Sequence, residues 1–214
     1  MDIRLILVQA FVILFAITIH EAAHAWTANK MGDPTAAALG RASLNPLVHI
    51  DPIGTILFPL LLIIFKMPVF GWAKPVPYNP YNLRHPRKGG LWISFAGPIS
   101  NILTAAAAVL LFRLLKPFGA QVTDTSALSR PLEGLSVILL FTALINISLA
   151  VFNLIPIPPL DGSGILAGLL SEKAAASYER LRPYGFLFLI LLMYSGVLTL
   201  VFSPAQALIL RLFR

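Results

Sequence analysis

Five residues near the N-terminus have the types and spacing for chemistry. His20-Glu21-Ala22-Ala23-His24 reads HEAAH, an HExxH pattern. On a helix, residues four apart share a face, one turn above each other. His20 and His24 can therefore offer two imidazoles to one metal ion. Glu21 follows His20 by about 100° around the helix axis, which sets it beside such an ion rather than beneath it. Two imidazoles and an adjacent carboxylate are the parts needed to bind zinc and to take a proton from an activated water. The pattern lies inside an apolar run with the length of a membrane span.

The elements that must position these residues follow from composition. The chain is 57% hydrophobic and 12% charged, about half the charged fraction of a soluble domain. It reads as a polytopic membrane protein without room for a large soluble domain. Net charge is +7, but the basic residues sit between apolar runs. They read as a positive-inside signal and as contacts with anionic lipid headgroups, not as a nucleic-acid surface. There is no cysteine, so any metal must be held by His, Asp or Glu. The N-terminus has some features of a signal peptide, with Ala23-His24-Ala25 as an A-x-A site. Against that, the apolar run 5–19 is at the long limit, Asp2 offsets Arg4, and cleavage would discard the HExxH.

Four runs have the length and apolarity of full spans: residues 3–26, 91–115, 135–154 and 184–202. The apolar run 53–65 is too short to cross and fits a re-entrant segment. Residues 67–90 are rich in proline, glycine and aromatics. Within them 69–78 alternates loosely and reads as an edge strand in a small β-hairpin near the cytosolic face. Residues 155–164 form a proline-rich break that runs into Leu160-Asp161-Gly162, and 205–214 reads as an interfacial amphipathic tail. The expected architecture is an all-α polytopic membrane protein. It has four full transmembrane helices, one re-entrant segment and a small β-hairpin, in a single integral-membrane domain over residues 1–214.

A catalytic zinc usually has three protein ligands and an open position, and HExxH supplies two. Among the remaining acids Asp161 stands out, because it follows a full span within a run whose prolines prevent a continuous helix. Irregular backbone at membrane depth is tolerated where it is buried in protein or lines a cavity. A carboxylate there is costly unless it binds something. The other reading of Asp161 is as half of an Asp-Gly turn. If His20, His24 and Asp161 meet one ion, the spans 3–26 and 135–154 run parallel. An odd number of crossings then lies between them, so 91–115 crosses and 53–65 does not. The side that holds 27–90 and 155–183 then carries ten of the sixteen Lys and Arg. That side is cytosolic by the positive-inside rule, and the N-terminus faces outward.

Three motifs together resemble the site-2 protease family of intramembrane zinc metalloproteases. HEAAH (20–24) is the first. FAGPISN (95–101) is similar to the family's GPxxN helix, and NLIPIPPLDGSG (153–164) resembles its NxxPxPxLDG motif. The resemblance implies regulated cleavage of a transmembrane protein or peptide substrate within the bilayer. It implies one Zn2+ per chain, held by His20, His24 and Asp161, with Glu21 as general base. It also implies a multi-pass protein of the cell (plasma or inner) membrane whose site opens toward the cytosolic side. The chain looks like a minimal member without a PDZ or CBS domain, and the 53–65 segment departs from the shortest family pattern.

Other polar residues have two readings each. Asn153 either contacts the substrate backbone or oxyanion, or caps a broken helix. Asn101 either acts at the reacting centre or hydrogen-bonds between helices. His49 and Asp51 read as loop structure, with a ligand or gate role as the other option. The aromatic and proline cluster 67–80 is an interface anchor or an edge that pairs with extended substrate. Rival functions are a membrane zinc or proton transporter, a client-binding scaffold, and a hydrolase of a small lipid-borne substrate. Intact Glu21 argues against a scaffold, and a transporter would spread its ligands across the bilayer.

Overall fold

The computed structural model describes residues 3–65, 71–119 and 129–214. Its helices are α1 (Ile3–Lys30), α2 (Thr35–Ala38), α3 (Phe58–Ile64), α4 (Pro86–Gly119), α5 (Ser129–Asn153), α6 (Asp161–Leu169), α7 (Glu172–Glu179), α8 (Gly185–Tyr194) and α9 (Val197–Leu212). A π-helical turn, Pro52–Leu57, leads into α3, and the two make one short apolar helix from Pro52 to Ile64.

Helices α1, α4 and α5 are each long and apolar enough to cross a membrane. Their outer faces are covered with leucine and other apolar side chains; Leu7 and Leu103 are 63% and 64% exposed. In water such surface would be a large unfavourable patch, and in lipid it is solvated. The inner faces are small. Ala16, Ala105, Ala143 and Ala150 are buried at the helix contacts, which lets the backbones approach closely.

Contacts between side chains set the helix directions. His20 meets Asn101 and His24 meets the carbonyl of Ile93, so α4 runs antiparallel to α1. Asp161, just beyond α5, meets the C-terminal part of α1, so α5 runs parallel to it. This is the up-down-up order expected if His20, His24 and Asp161 are to meet.

The end of α1 is closed by a tight capping turn. Asp33 N–H bonds Ala28 O at 2.9 Å across Gly32, whose φ is +110°; only glycine adopts that region without strain. The Asp33 carboxylate then accepts from Thr35 N, Thr35 Oγ1, Asn79 N and Asn82 Nδ2 at 2.5–3.1 Å. It ties the end of α1 to the chain that enters α4. Pro86 opens α4, where its missing N–H costs nothing.

Two expectations are corrected in the C-terminal third. The run 184–202 is not one continuous helix, and a fourth full transmembrane helix is not supported. The run divides into α8 and α9 at Gly196, which has φ +74°, and the helical run Glu172–Tyr194 meets Val197–Leu212 at 70°. An isolated glycine in an apolar run does not announce such a break. The expected interfacial tail belongs to α9 and packs into the bundle. Ile209 is buried against Ala108, Val109, Leu139 and Ala143, and Phe213 stacks on Phe112 at 4.3 Å between ring centroids. Arg113 and Lys116 of α4 donate to the carbonyls of Leu212 and Arg214, satisfying acceptors that the end of α9 leaves open.

The β-hairpin is also corrected: among the described residues there is no strand. Residues 69–70 lie outside the described residues, and 71–79 carries no helix or strand. Trp72 N bonds Gly54 O at 3.1 Å and Lys74 N bonds His49 O at 2.9 Å, so one edge leans on the loop before α3. Pro75 and Pro77 remove donors from the other edge, and a paired ladder cannot form.

Candidate metal centre

The site is built on the C-terminal half of α1. His20 and His24 point to one side with ring centroids 4.6 Å apart, edge to face at 82°. The proline break after α5 ends at Asp161, the first residue of α6. Close packing sets this break in place. A Cβ on Gly162 would lie 2.3 Å from Leu154 O, and one on Gly185 would lie 2.0 Å from Pro158 O. Tyr178 of α7 donates its hydroxyl to Pro156 O at 2.8 Å. Asp161 Oδ2 thereby reaches His20 Nε2 at 3.0 Å and His24 Nε2 at 3.4 Å.

Hydrogen bonds behind the rings determine which nitrogens face Asp161 as bare electron pairs. His24 Nδ1 lies 2.6 Å from Ile93 O. A carbonyl only accepts, so Nδ1 carries the proton and Nε2 presents its lone pair. His20 Nδ1 lies 2.6 Å from Asn101 Oδ1, and the Asn101 amide nitrogen is occupied by Ala16 O at 3.2 Å. Again Nδ1 donates and Nε2 is left with its lone pair. Asp161 Oδ2 is buried and has no hydrogen-bond donor, although both Nε2 atoms lie near it. With both rings neutral, three electron-pair donors thus gather within 4.8 Å of one another. A cation resolves this arrangement. Two imidazole nitrogens and a carboxylate oxygen suit zinc, and three protein ligands leave a position open for chemistry.

Gly97 of α4 makes the floor. A Cβ there would lie 2.4 Å from His24 Nε2 and 2.5 Å from His20 Nε2, so glycine is what admits both rings. The site opens on a cavity of about 400 Å³, lined by Glu21, Asn153 and Asp161 together with apolar residues such as Ile17, Leu149 and Phe152. Trp72, Val76 and Tyr78 of the extended segment line the same cavity. Trp72 sits where a side chain on Gly54 would be, 2.2 Å from its would-be Cβ, and stacks obliquely on Phe58.

A model of peptidase family M50 matches residues 8–194. The chain belongs to peptidase family M50. It is 36% identical over 192 residues to YwhC of Bacillus subtilis, covering 90% of this chain and 82% of that protein. It is 28% identical to Rip2 of Mycolicibacterium smegmatis and 27% identical to Rip2 of Mycobacterium tuberculosis, in each case covering 86% of this chain and 66% of the relative. The names of all three describe a zinc metalloprotease. No solved structure matches the chain. As an M50 member with membrane-spanning helices, the chain is a zinc metalloprotease of the site-2 type.

Within this M50 chain, His20, His24 and Asp161 come together, and Glu21 and Asn153 share their cavity. Asn101 is fully buried behind His20 and is absent from the cavity wall. His49 and Asp51 lie in the loop before α3. His49 Nε2 meets Ser43 O at 2.8 Å, and Asp51 caps the π-helical turn by accepting from Ile53 N and Gly54 N. Two contributors escaped the sequence reading. The Ile93 carbonyl that fixes His24 has no sequence signature, being backbone. Gly97 was visible only as part of GPxxN, without its reason.

Proposed function

We propose that this zinc metalloprotease cleaves a peptide bond within or beside the transmembrane segment of a membrane-protein substrate, in regulated intramembrane proteolysis. The observation that carries the reading is the place of the donor set. Three ligand atoms and a further carboxylate meet on one cavity, among helices whose outer faces are apolar. His20, His24 and Asp161 would hold one zinc ion, which when bound supplies Lewis-acid polarisation of water and of the scissile carbonyl. The Glu21 carboxylate takes the proton of the attacking water and delivers it to the leaving amine nitrogen. Asn153 spends one amide N–H on Leu149 O at 3.0 Å and keeps a second to donate to the carbonyl oxygen as charge develops there. A helical substrate has its own carbonyls bonded within the helix, so it must unwind locally to be cut.

The same reading makes residues 1–214 one integral-membrane protease domain with Pro52–Ile64 re-entrant and the site toward the cytosol. Support for the orientation comes from charge. The side of the bundle holding 27–90 and 155–183 has ten Lys and Arg. Of the six elsewhere, Arg113 and Lys116 are engaged in closing α9.

The test is zinc content and cleavage for purified wild type, His20→Ala and Asp161→Ala. Wild type should retain one zinc and cut a transmembrane test peptide in liposomes, and both variants should lose zinc and activity. Equal zinc in all three would overturn the site. Zinc flux across the liposome without peptide cleavage would replace the protease reading with a transporter.

A further inference from the structure

Asn146 lies one helix removed from the ligands and does not line the cavity. Like Asn101 it is 0% exposed, and burying two amides side by side in an apolar bundle is costly unless every polar atom is used. Here they are. Asn146 Nδ2 donates to Thr142 O at 2.9 Å. Asn146 Oδ1 accepts from Asn101 Nδ2 at 2.7 Å. Asn101 Nδ2 also donates to Ala16 O, and Asn101 Oδ1 accepts from His20 Nδ1.

The direction of this chain is forced at both ends. Thr142 O and Ala16 O are backbone carbonyls, which accept only. Turning Asn101 over would set its oxygen against Ala16 O. It would also force Asn146 to turn, setting Asn146 Oδ1 against Thr142 O. The amide nitrogen of Asn101 would then face His20 Nδ1 and demand its lone pair, moving the ring proton to Nε2, the atom turned toward Asp161. A protonated Nε2 cannot bind a metal.

We propose that Asn146 is a positioning residue for the metal centre: by fixing the amide of Asn101 it holds the His20 proton on Nδ1 and keeps Nε2 open as a ligand. The proposal rests on the reading of His20 as a zinc ligand. It gives α5 a second hold on the site, for α5 also leads directly to Asp161. The backbone carbonyl of Thr142, on α5, thus sets the tautomer of a ring on α1 through two side chains.

The experiment measures zinc affinity of the purified protein by chelator competition, with apo-protein unfolding followed in parallel. Asn146→Ala should weaken zinc binding roughly tenfold, in the range for loss of a group that orients a ligand. Asn146→Asp, kept protonated by its apolar surroundings, donates its hydroxyl to Thr142 O and still accepts from Asn101 Nδ2, and should stay within about threefold of wild type on the same scale. The deciding comparison uses an Asn101→Asp background. Both oxygens of that carboxylate accept, so the His20 tautomer no longer depends on residue 146. Adding Asn146→Ala there should change zinc affinity less than about twofold. An equal loss in both backgrounds would mean that Asn146 only packs, and would overturn the proposal, as would wild-type affinity in Asn146→Ala. If Asn146→Ala does not fold, Asn146→Asp decides: near-wild-type affinity supports the relay and a tenfold loss sinks it. Wild type that takes up no zinc would instead fail the ligand assignment itself, and the relay with it.

Discussion

Gly97 and His24 touch so closely that a single methyl group would part them: a Cβ at 97 would lie 2.4 Å from His24 Nε2. The same methyl would stand 2.5 Å from His20 Nε2. Both contacts fall well inside the distance at which nonbonded atoms stop attracting. Alanine is otherwise welcome in a helix, by up to about 1 kcal/mol over glycine. Gly97→Ala should therefore keep its helical circular dichroism and lose roughly tenfold or more in zinc affinity, although residue 97 donates nothing to the metal. Unchanged zinc affinity would show that the rings sit elsewhere.

Glu21→Gln separates binding from proton transfer. His20, His24 and Asp161 are untouched, so zinc stoichiometry should equal that of wild type. Loss of a general base costs about 10²–10⁴-fold in rate, and cleavage of a transmembrane test peptide should fall by that factor. Wild-type turnover by the purified variant would reject Glu21 as the base.

Asp33 governs the hinge between α1 and α4. Burial pushes its carboxyl up, but donors from Thr35, Asn82 and Asn79 outweigh that and hold it below its ordinary value of 3.8. A carboxyl lowered by folding contributes stability that is complete above the ordinary value and disappears as pH falls through the lowered one. Asp33→Ala leaves several donors without an acceptor and should cost roughly 2–3 kcal/mol near neutral pH. The gap between wild type and variant should then close as the solution is acidified below 3.8, read by thermal unfolding of the metal-free protein in detergent. A gap that widens with acid would contradict the sign.

Gly196 has φ +74° and open space where a side chain would begin, so only backbone strain resists substitution. Gly196→Ala should cost about 1–2 kcal/mol while leaving zinc affinity unchanged, since α8 and α9 supply no ligand. A rise in unfolding temperature would place the 70° bend in doubt.

That His20, His24 and Asp161 belong together was legible because their signals are local. HEAAH needs only the four-residue repeat of a helix, and Asp161 announces itself as a carboxylate among prolines at the end of a span. The spans at 3–26, 91–115 and 135–154 were legible for a related reason: twenty apolar residues have few alternatives. The helices run further, to Lys30 and back to Pro86, because backbone hydrogen bonding continues past the point where hydropathy falls. The break at Gly196 was hidden, since one glycine in an apolar run is ordinary. The docking of α9 was hidden because an amphipathic stretch does not reveal whether its apolar face meets lipid or the side chains of α4 and α5. The role of Asn101 depended on what stood opposite, and that is a property of three helices together.

His20 and His24 on α1 and Asp161 beyond α5 are distant in sequence and adjacent in space. A single ion gripping all three would close a very long loop of chain, and closing long loops removes the most freedom from an unfolded polypeptide. In a protein without cysteine, the catalytic ion then also serves as the cross-link. Binding to the folded form alone adds stability in proportion to the logarithm of free metal, so zinc supply would govern how much folded protease persists as well as how fast it cuts.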